Sequence, residues 1–308
     1  MYKRQDKDHL NIAYTGSFTP DQYSNSLTSG NYQASNVDKY VETRMHNVTL
    51  QYHSGVGFDV GGDYTHYMSD NNQTLLADYA DGGQSSFSII GGQKIDRYSI
   101  YADRKRHLAK EWNLGYGISY RFAKDHDFQT YDKVTGDIPT ENTDSRLREQ
   151  TANFYVSLSR NYATGTSVSV SATGEYYTIG SYRKWAVYPQ ASLTYVKSPK
   201  HLFQLSLSTD KTYPGYWDMQ SSVSHLNGYT ELWGTPGLKP STTYNLNGNY
   251  IWKQKYIFGL FFMHTSDFFV QTGYQSTDRL ALIYKNTNWN YMQMWGANII
   301  LPFKAGNW

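Results

Sequence analysis

Large apolar and small or polar residues alternate with a period of two along residues 112–122. The even positions carry Trp112, Leu114, Tyr116, Ile118, Tyr120 and Phe122. The odd positions carry Asn113, Gly115, Gly117, Ser119 and Arg121. This period predicts a β-strand with one apolar face and one polar face. About eleven residues is also the length that a tilted strand needs to cross a bilayer, and aromatic residues near both ends suit the two interfaces.

The same alternation recurs along the chain and predicts about twelve strands. Besides 112–122, the repeats lie within residues 10–14, 48–52, 58–64, 85–103, 152–158, 168–176, 185–195, 203–207, 244–252, 256–271 and 289–303. One strand is interrupted by Pro189, which cannot donate to a ladder and therefore predicts a bulge or an irregular pairing there. Residues 257–263 are apolar on both faces, which predicts a wall strand that also packs on its inner side.

The connections between these strands alternate in length. Short turns are predicted near residues 54–55, 104–110, 161–165, 198–200 and 253–255, whereas long polar loops are predicted at 18–40, 69–84, 123–148 and 211–240. Short turns on one side and long loops on the other are typical of a membrane barrel. The sequence therefore predicts an all-β, antiparallel, up-and-down transmembrane barrel rather than a soluble β-protein, with residues 1–308 forming a single domain.

Composition agrees with this prediction. Aromatic residues make up 17% of the chain and include 30 tyrosines, yet the mean hydropathy is -0.66. A barrel wall needs only alternate residues to be apolar. The absence of cysteine excludes a disulfide scaffold and thiolate metal sites, and a net charge of +2 without a basic stripe gives no indication of nucleic-acid binding. Residues 1–10 lack the apolar core of a signal peptide, so we expect the native N-terminus to lie upstream.

Several short motifs carry a family resemblance. Leu226-Asn227 precedes Gly234-Thr235-Pro236-Gly237-Leu238-Lys239-Pro240, and Thr212-Tyr213-Pro214, Tyr284-Lys285-Asn286 and Trp295-Gly296 lie around them. This region resembles the outer-membrane β-barrel family of Bacteroidota, within the TonB-dependent receptor superfamily. Thr235 stands where the family usually has asparagine, and Asn298 replaces its usual acidic residue. Glycine and proline in these motifs predict stiff loops with a structural role rather than ligand contacts.

The resemblance implies a larger protein than these 308 residues. Members of the superfamily resemble 22-stranded transporters that hold a plug domain in the lumen. The implied protein lies in the bacterial outer membrane, contacts the lipid bilayer and imports a scarce nutrient, driven by a TonB-type energy-coupling protein that acts on the plug. We therefore expect this chain to be part of the barrel, without the plug and the remaining strands. Iron chelates, cobalamin, glycans and peptides remain open as ligands.

The alternatives are a passive porin-like channel, a barrel enzyme and a soluble glycan-binding β-protein. No GxSxG motif accompanies the nine histidines, and His46, His53 and His66 lack the spacing of known metal sites. The group Asp125-His126-Asp127 is interpreted as a solvated charge cluster in a loop. Gly61-Gly62 and Gly91-Gly92 precede no helix, which disfavours phosphate binding. We therefore predict no catalytic residue, no metal and no cofactor.

Aromatic residues are concentrated in the long connection 211–240. Aromatic side chains on an extracellular loop can stack on sugars or bind an apolar ligand. The alternative is that they clamp the loop onto the rim of the barrel. The candidate ligand contacts are Tyr213, Tyr216, Trp217, Tyr229 and Trp233.

Overall fold

The computed structural model describes residues 8–30, 33–136, 140–303 and 306. Two three-residue 3-10 helices, Ala109–Glu111 and Trp217–Met219, accompany sixteen strands. No helix in the described ranges is long and apolar enough to cross a membrane. The strands are β1 (His9–Ser29), β2 (Gln33–His53), β3 (Phe58–Tyr79), β4 (Gln84–His107), β5 (Trp112–Thr135), β6 (Thr143–Asn161), β7 (Ser167–Ile179), β8 (Tyr182–Ser198), β9 (His201–Thr212), β10 (Val223–Asn227), β11 (Thr230–Trp233), β12 (Ser241–Trp252), β13 (Tyr256–Ser266), β14 (Phe269–Gln275), β15 (Leu282–Asn288) and β16 (Tyr291–Ile300).

Twelve of the strands form one antiparallel sheet, in which the strands follow one another in the order of the sequence. Its order is β1 through β9, followed by β12, β13 and β16. The other four strands form a small sheet, in the order β10-β11-β15-β14, from the connections 213–240 and 267–290. Within the described residues, β1 pairs only with β2 and β16 only with β13, so the large sheet is open. The prediction of an all-β, antiparallel fold with about twelve strands is confirmed.

One face of the large sheet is an exposed apolar band. Ile118 on β5 is 58% exposed, its register partner Phe154 on β6 is also exposed, and its partner Ala102 on β4 is half-buried. Aromatic rings border this band at both ends. Near the long connections, the rings of Tyr64, Tyr98 and Phe122 stack with centroids 4.8 and 6.5 Å apart. Near the short turns, the stacked rings are those of Tyr195, Phe203, Tyr250 and Phe258. An apolar band between two aromatic girdles is the lipid-facing surface of a membrane barrel.

The predicted loops 18–40, 69–84 and 123–148 are wrong for most of their length. β1 continues to Ser29, β3 to Tyr79 and β5 to Thr135, so the hairpins extend far beyond the apolar band. Outside the bilayer a strand needs no apolar face, and the sequence pattern that marks lipid-facing strands therefore ends before the hydrogen-bonded ladder does. Residues 1–7, 31–32 and 137–139, which fall within the N-terminal and loop predictions, lie outside the described part of the chain.

The irregular pairing predicted at Pro189 is found on one side only, because Pro189 pairs in regular register with Ala172 on β7 and no bulge forms there. On the other side, the ladder between β8 and β9 ends at the pair Ala191 and Leu207, two residues from the proline. Beyond this pair the carbonyl of Pro189 accepts a hydrogen bond of 2.6 Å from the Thr209 hydroxyl. The two strands separate there, and Lys211 on β9 reaches the inner face of the sheet.

Candidate functional site

The 213–240 segment covers the inner face of the large sheet at its long-connection end. Gln129 on β5 makes two hydrogen bonds with the backbone of Val223, of 2.7 and 3.2 Å. Gln73 on β3 donates to the carbonyl of His225 over 2.5 Å. An apolar cluster lies beside these contacts on the inner faces of β2, β3 and β4, and comprises Val37, Leu75, Ala77, Phe87 and Ile89. The side chains that would line a lumen at this level are therefore buried by protein.

Two buried carboxylates on the wall anchor the segment. Glu175 on β7 accepts hydrogen bonds from the hydroxyl of Tyr188, at 3.1 Å, and from the hydroxyl of Tyr213. Glu149 on β6 accepts one from the hydroxyl of Tyr216. Burial, with the negative charge of Glu149, raises the pKa of Tyr216, so its hydroxyl stays protonated and remains a donor. Hydrogen bonds to charged acceptors are among the stronger ones in proteins.

A buried lysine completes this anchor. Lys211 forms an ion pair with Glu175, and the side chains of both residues are less than 10% exposed. Its ammonium also lies 4.3 Å from the centroid of the Tyr177 ring and 4.6 Å from that of Tyr213. Removing one partner of such a pair leaves an uncompensated charge in a dry environment, which is strongly destabilising. The anchor therefore fixes the start of the 213–240 segment to the wall.

The motif residues of the sequence hold the small sheet together. A Cβ on Gly234 would lie 2.0 Å from the carbonyl oxygen of Gln220, so no other residue fits at this close approach. Thr235 donates to the carbonyl of Asn286 over 2.6 Å, and the amide of Asn286 donates to Asp218 over 2.7 Å. Leu238 is buried in a cluster on the wall. The expectation that these motifs are structural agrees with these contacts.

Asp125 and Asp127 lie under the segment, three and five residues beyond the aromatic girdle at Phe122. They are 2% and 3% exposed, and one carboxylate oxygen of each has no hydrogen-bond partner. Burial raises the pKa of Asp125 to about 6. Burial, together with the charge of Asp125, raises the pKa of Asp127 to about 7. Asp127 also lines a cavity of about 60 Å³ between the wall and residues 217–224. The interpretation of these two aspartates as solvated is wrong.

We expect the 213–240 segment to loosen as the pH rises from 6.5 to about 8. The folded protein holds protons on Asp127 and Asp125 that the detached segment would release, so the stabilisation is lost as pH rises through the raised pKa values. Chymotrypsin cleavage within residues 213–240, normalised to the denatured chain at each pH, should therefore accelerate several-fold. Asp127→Asn should remove most of this dependence.

His225 provides the control for this experiment. It is 1% exposed, shares a 3.0 Å hydrogen bond with the hydroxyl of Tyr131, and burial lowers its pKa to about 4. Its proton is therefore already lost at pH 6.5, so His225→Gln should leave the pH dependence in this window intact. An unchanged dependence in Asp127→Asn would contradict the assignment to the aspartates.

The structure places the five candidate aromatics in different settings. Tyr213 and Tyr216 bind the wall carboxylates. The Tyr229 ring lies 5.0 Å from that of Tyr79, and the indole N–H of Trp233 donates to Glu231 over 2.7 Å. Trp217 is half-buried and lines the small cavity. These contacts fit the clamping alternative for the two tyrosines at the start of the segment, and a ligand role for the set remains a prediction.

The histidines and glycine pairs considered in the sequence analysis are not brought together into one site. His46 and His66 are register partners on β2 and β3, whereas His53 lies at the far end of β2 and contacts Asp59 at 2.5 Å. Among the described residues, no three histidine, aspartate or glutamate side chains are placed to hold a metal ion. Gly91 and Gly92 line the cavity beside Asp127.

Sequence reasoning missed Glu149, Glu175 and Lys211 as parts of the site. Glu175 falls on the polar face of the predicted strand 168–176, where a single carboxylate is ordinary. Its partner Lys211 is 36 residues away, and Glu149 contacts Tyr216 across 67 residues. The one available signal was an acidic residue placed among small and hydroxyl residues on an inward face.

Comparison with known proteins identifies the family. The model described as the outer membrane protein beta-barrel family matches residues 53–308. No curated protein matches the chain. Similar solved structures include a double mutant of the hemophore receptor HasR of Serratia marcescens, in complex with its hemophore HasA and heme. Its sequence is 8% identical, 96% of this chain and 56% of that chain are covered, and the TM-score is 0.49.

Two further structures come from Pseudomonas aeruginosa. The siderophore receptor PirA is 10% identical, with 98% of this chain and 61% of that chain covered and a TM-score of 0.48. A mutant of the ferric enterobactin receptor PfeA is 11% identical, with 97% of this chain and 60% of that chain covered and a TM-score of 0.48. This chain thus spans about three fifths of the length of these structures. The family match covers most of the sequence: the chain belongs to the outer membrane protein beta-barrel family, and its apolar band lies in the bacterial outer membrane.

Proposed function

We propose that this chain forms part of the wall of a TonB-dependent outer-membrane receptor that imports a nutrient. The observation that carries the proposal is the burial of the inner face beneath the 213–240 segment, where Leu75 and Tyr177 are at most 2% exposed. A passive pore needs a water-filled lumen along its whole length. A covered mouth instead suits a receptor that binds its ligand from outside and opens only when energy is supplied.

The open edges of the large sheet support a larger barrel. Among the residues that the structure describes, β1 and β16 each have one unpaired side, and both carry exposed apolar residues such as Ile12 and Ile299. An unpaired strand edge is strongly unfavourable inside the hydrocarbon core, because its backbone groups find no water there. Further strands of the same barrel would pair with both edges. The resemblance of the 226–303 motifs to the TonB-dependent superfamily points to the same arrangement, with a plug in the lumen.

Nutrient uptake with and without the energy-coupling protein tests this proposal. The gene, with its complete reading frame, is expressed in an outer-membrane mutant that cannot take up large nutrients, and growth is measured on iron chelates, cobalamin, glycans and peptides in turn. Growth on one of them should require the TonB-type protein. Growth that persists without it would contradict energy coupling. The upstream reading frame should also encode a signal peptide and a plug.

A passive porin-like channel is the second candidate. A cavity of about 390 Å³ at the short-turn end of the inner face favours it, because polar residues such as Asn11, Gln51 and Asp103 line it. Planar-bilayer recordings separate the two functions. Steady conductance from the wild-type protein would favour the porin, whereas the receptor should conduct no steady current. Either function moves solutes without covalent chemistry, so we propose that the chain is not an enzyme.

We expect Trp217 to matter more for ligand binding than Tyr213. Trp217 lines a cavity and its indole forms no hydrogen bond within the described structure, whereas the hydroxyl of Tyr213 is committed to Glu175. Trp217→Ala should weaken binding of the nutrient identified by growth about tenfold or more, as is usual for a buried aromatic anchor. Tyr213→Phe, which keeps the ring, is the matched control. Equal affinity in wild type and Trp217→Ala would contradict the ligand role of this residue.

A further inference from the structure

A group of basic side chains lies on the outer face of the large sheet, directly beyond the aromatic girdle. The basic patch comprises Lys94, Lys124, His126, Arg146 and Arg148. Lys94, His126 and Arg146 are register partners across β4, β5 and β6, and the next row consists of Asp96, Lys124 and Arg148. Adjacent strands lie about 5 Å apart and successive outward residues about 7 Å apart, so the positive charges form a compact grid.

The position of the patch relative to the membrane is fixed by neighbouring aromatics. The ammonium of Lys124 lies 5.6 Å from the centroid of the Phe122 ring. Phe122 stacks on Tyr98, and both border the apolar band. Aromatic girdles mark the level of lipid headgroups. Because the patch points outward, away from the lumen, it faces the headgroups of the outer leaflet rather than a transported solute.

The patch carries more positive than negative charge. Asp144 contacts His126 at 3.1 Å and Arg146 at 3.4 Å. Asp96 is engaged by His66 at 2.7 Å. Lys124 and Arg148 form no ion pair with any carboxylate that the structure describes. The basic side chains line a surface depression of about 280 Å³, together with Asp96, Asp125 and Leu147.

We propose that the basic patch binds the phosphorylated headgroup of an outer-leaflet lipid. A phosphate monoester carries more than one negative charge and three acceptor oxygens, and arginine binds such groups in a bidentate manner. The acyl chains of the same lipid would lie on the apolar band below, against Tyr120 and Ile118. The basic patch and the apolar band would thus form one continuous lipid-binding surface. The proposal does not depend on nutrient transport.

Retention of a defined lipid tests the proposal. The protein, expressed from its complete reading frame, is purified in detergent, loaded with an acylated glucosamine disaccharide that carries two phosphates, and passed through gel filtration. The same lipid without phosphates is the comparison. The wild type should retain the phosphorylated form selectively. Replacement of three cations, Lys124→Gln with Arg146→Gln and Arg148→Gln, should weaken retention roughly 100-fold, since each cation near an anionic surface contributes about a factor of five.

Two matched variants control for charge and folding. Lys200→Gln with Lys253→Gln and Lys255→Gln removes the same charge at the short-turn end and should retain the lipid. Lys124→Arg with Arg146→Lys and Arg148→Lys keeps the charge and should also retain it. Equal retention of both lipids by the wild type would overturn the proposal, even if the glutamine variant failed to fold. So would loss of retention in the short-turn variant, or displacement of the lipid by millimolar inorganic phosphate.

Discussion

Glu175→Ala is expected to detach the 213–240 segment from the wall at a cost of about 3–5 kcal/mol, the usual penalty for breaking a buried ion pair by removing one partner. The substitution leaves the ammonium of Lys211 buried without a counter-ion. It also removes the acceptor of the hydroxyls of Tyr188 and Tyr213. The segment should therefore open roughly 150-fold to several thousandfold more often, since each 1.4 kcal/mol is a factor of ten. The rate of chymotrypsin cleavage at its tyrosine and tryptophan residues measures this opening.

Variants of the same pair separate lost charge from lost packing. Glu175→Gln keeps the shape but not the charge, so it should cost nearly as much as Glu175→Ala. The double variant Glu175→Leu with Lys211→Met removes both charges and should recover most of the loss, since apolar replacements of a buried pair are often neutral. Its free energy of unfolding should remain below that of the wild type by about the contribution of two hydrogen bonds, those from the hydroxyls of Tyr188 and Tyr213. Wild-type cleavage rates in Glu175→Ala would show that the segment is held elsewhere.

The lipid-facing strands could be predicted because the bilayer imposes one rule on every one of them. Each strand that crosses the apolar band must be apolar on alternate residues, so 112–122 and its repeats are visible in the sequence. The predicted strand 112–122 corresponds to the first half of β5. The number of strands followed from counting these repeats, and the irregular pairing at Pro189 followed from its missing N–H.

The extensions of the strands beyond the membrane were missed because the environments of the two faces change there: the outer face contacts water and the inner face contacts protein. Beyond Phe122 the outward residues of β5 become polar, as at Lys124 and His126, whereas the inward Ala123, Asp125 and Asp127 become buried. A strand that faces water outside and protein inside carries no lipid-type alternation. Local sequence alone therefore resembles a charged loop.

The position of the 211–240 connection could be predicted from the sequence, but its contacts with the wall could not. The aromatic content of the 211–240 connection marked it as special, and the segment does lie at the long-connection end of the sheet. Its anchors on the wall depend on which inward residue of β6 or β7 meets which tyrosine. That pairing is set by the path of the segment across the inner face. A periodic pattern in one strand contains no information about a partner 67 residues away.

Ile118→Arg is expected to destabilise the protein, expressed from its complete reading frame and folded in lipid vesicles, by about 2–4 kcal/mol, the cost of an arginine on the lipid face near the bilayer midplane. Ile118 is 58% exposed and lies between the aromatic residues of both girdles on β5. The guanidinium of the introduced arginine would enter hydrocarbon without a partner. The midpoint of urea unfolding, followed by tryptophan fluorescence in phospholipid vesicles, measures the loss.

Ser119→Arg is the matched control, because it places the same side chain one residue further along the same strand but on the opposite face. Ser119 points to the inner face, where it accepts a weak hydrogen bond of 3.3 Å from the amide of Asn153. There an arginine can reach water, so the cost should stay below about 1 kcal/mol. Equal losses at both positions would contradict the assignment of the faces. The contrast between adjacent residues thus tests the orientation on which the inward site and the outward lipid patch both depend.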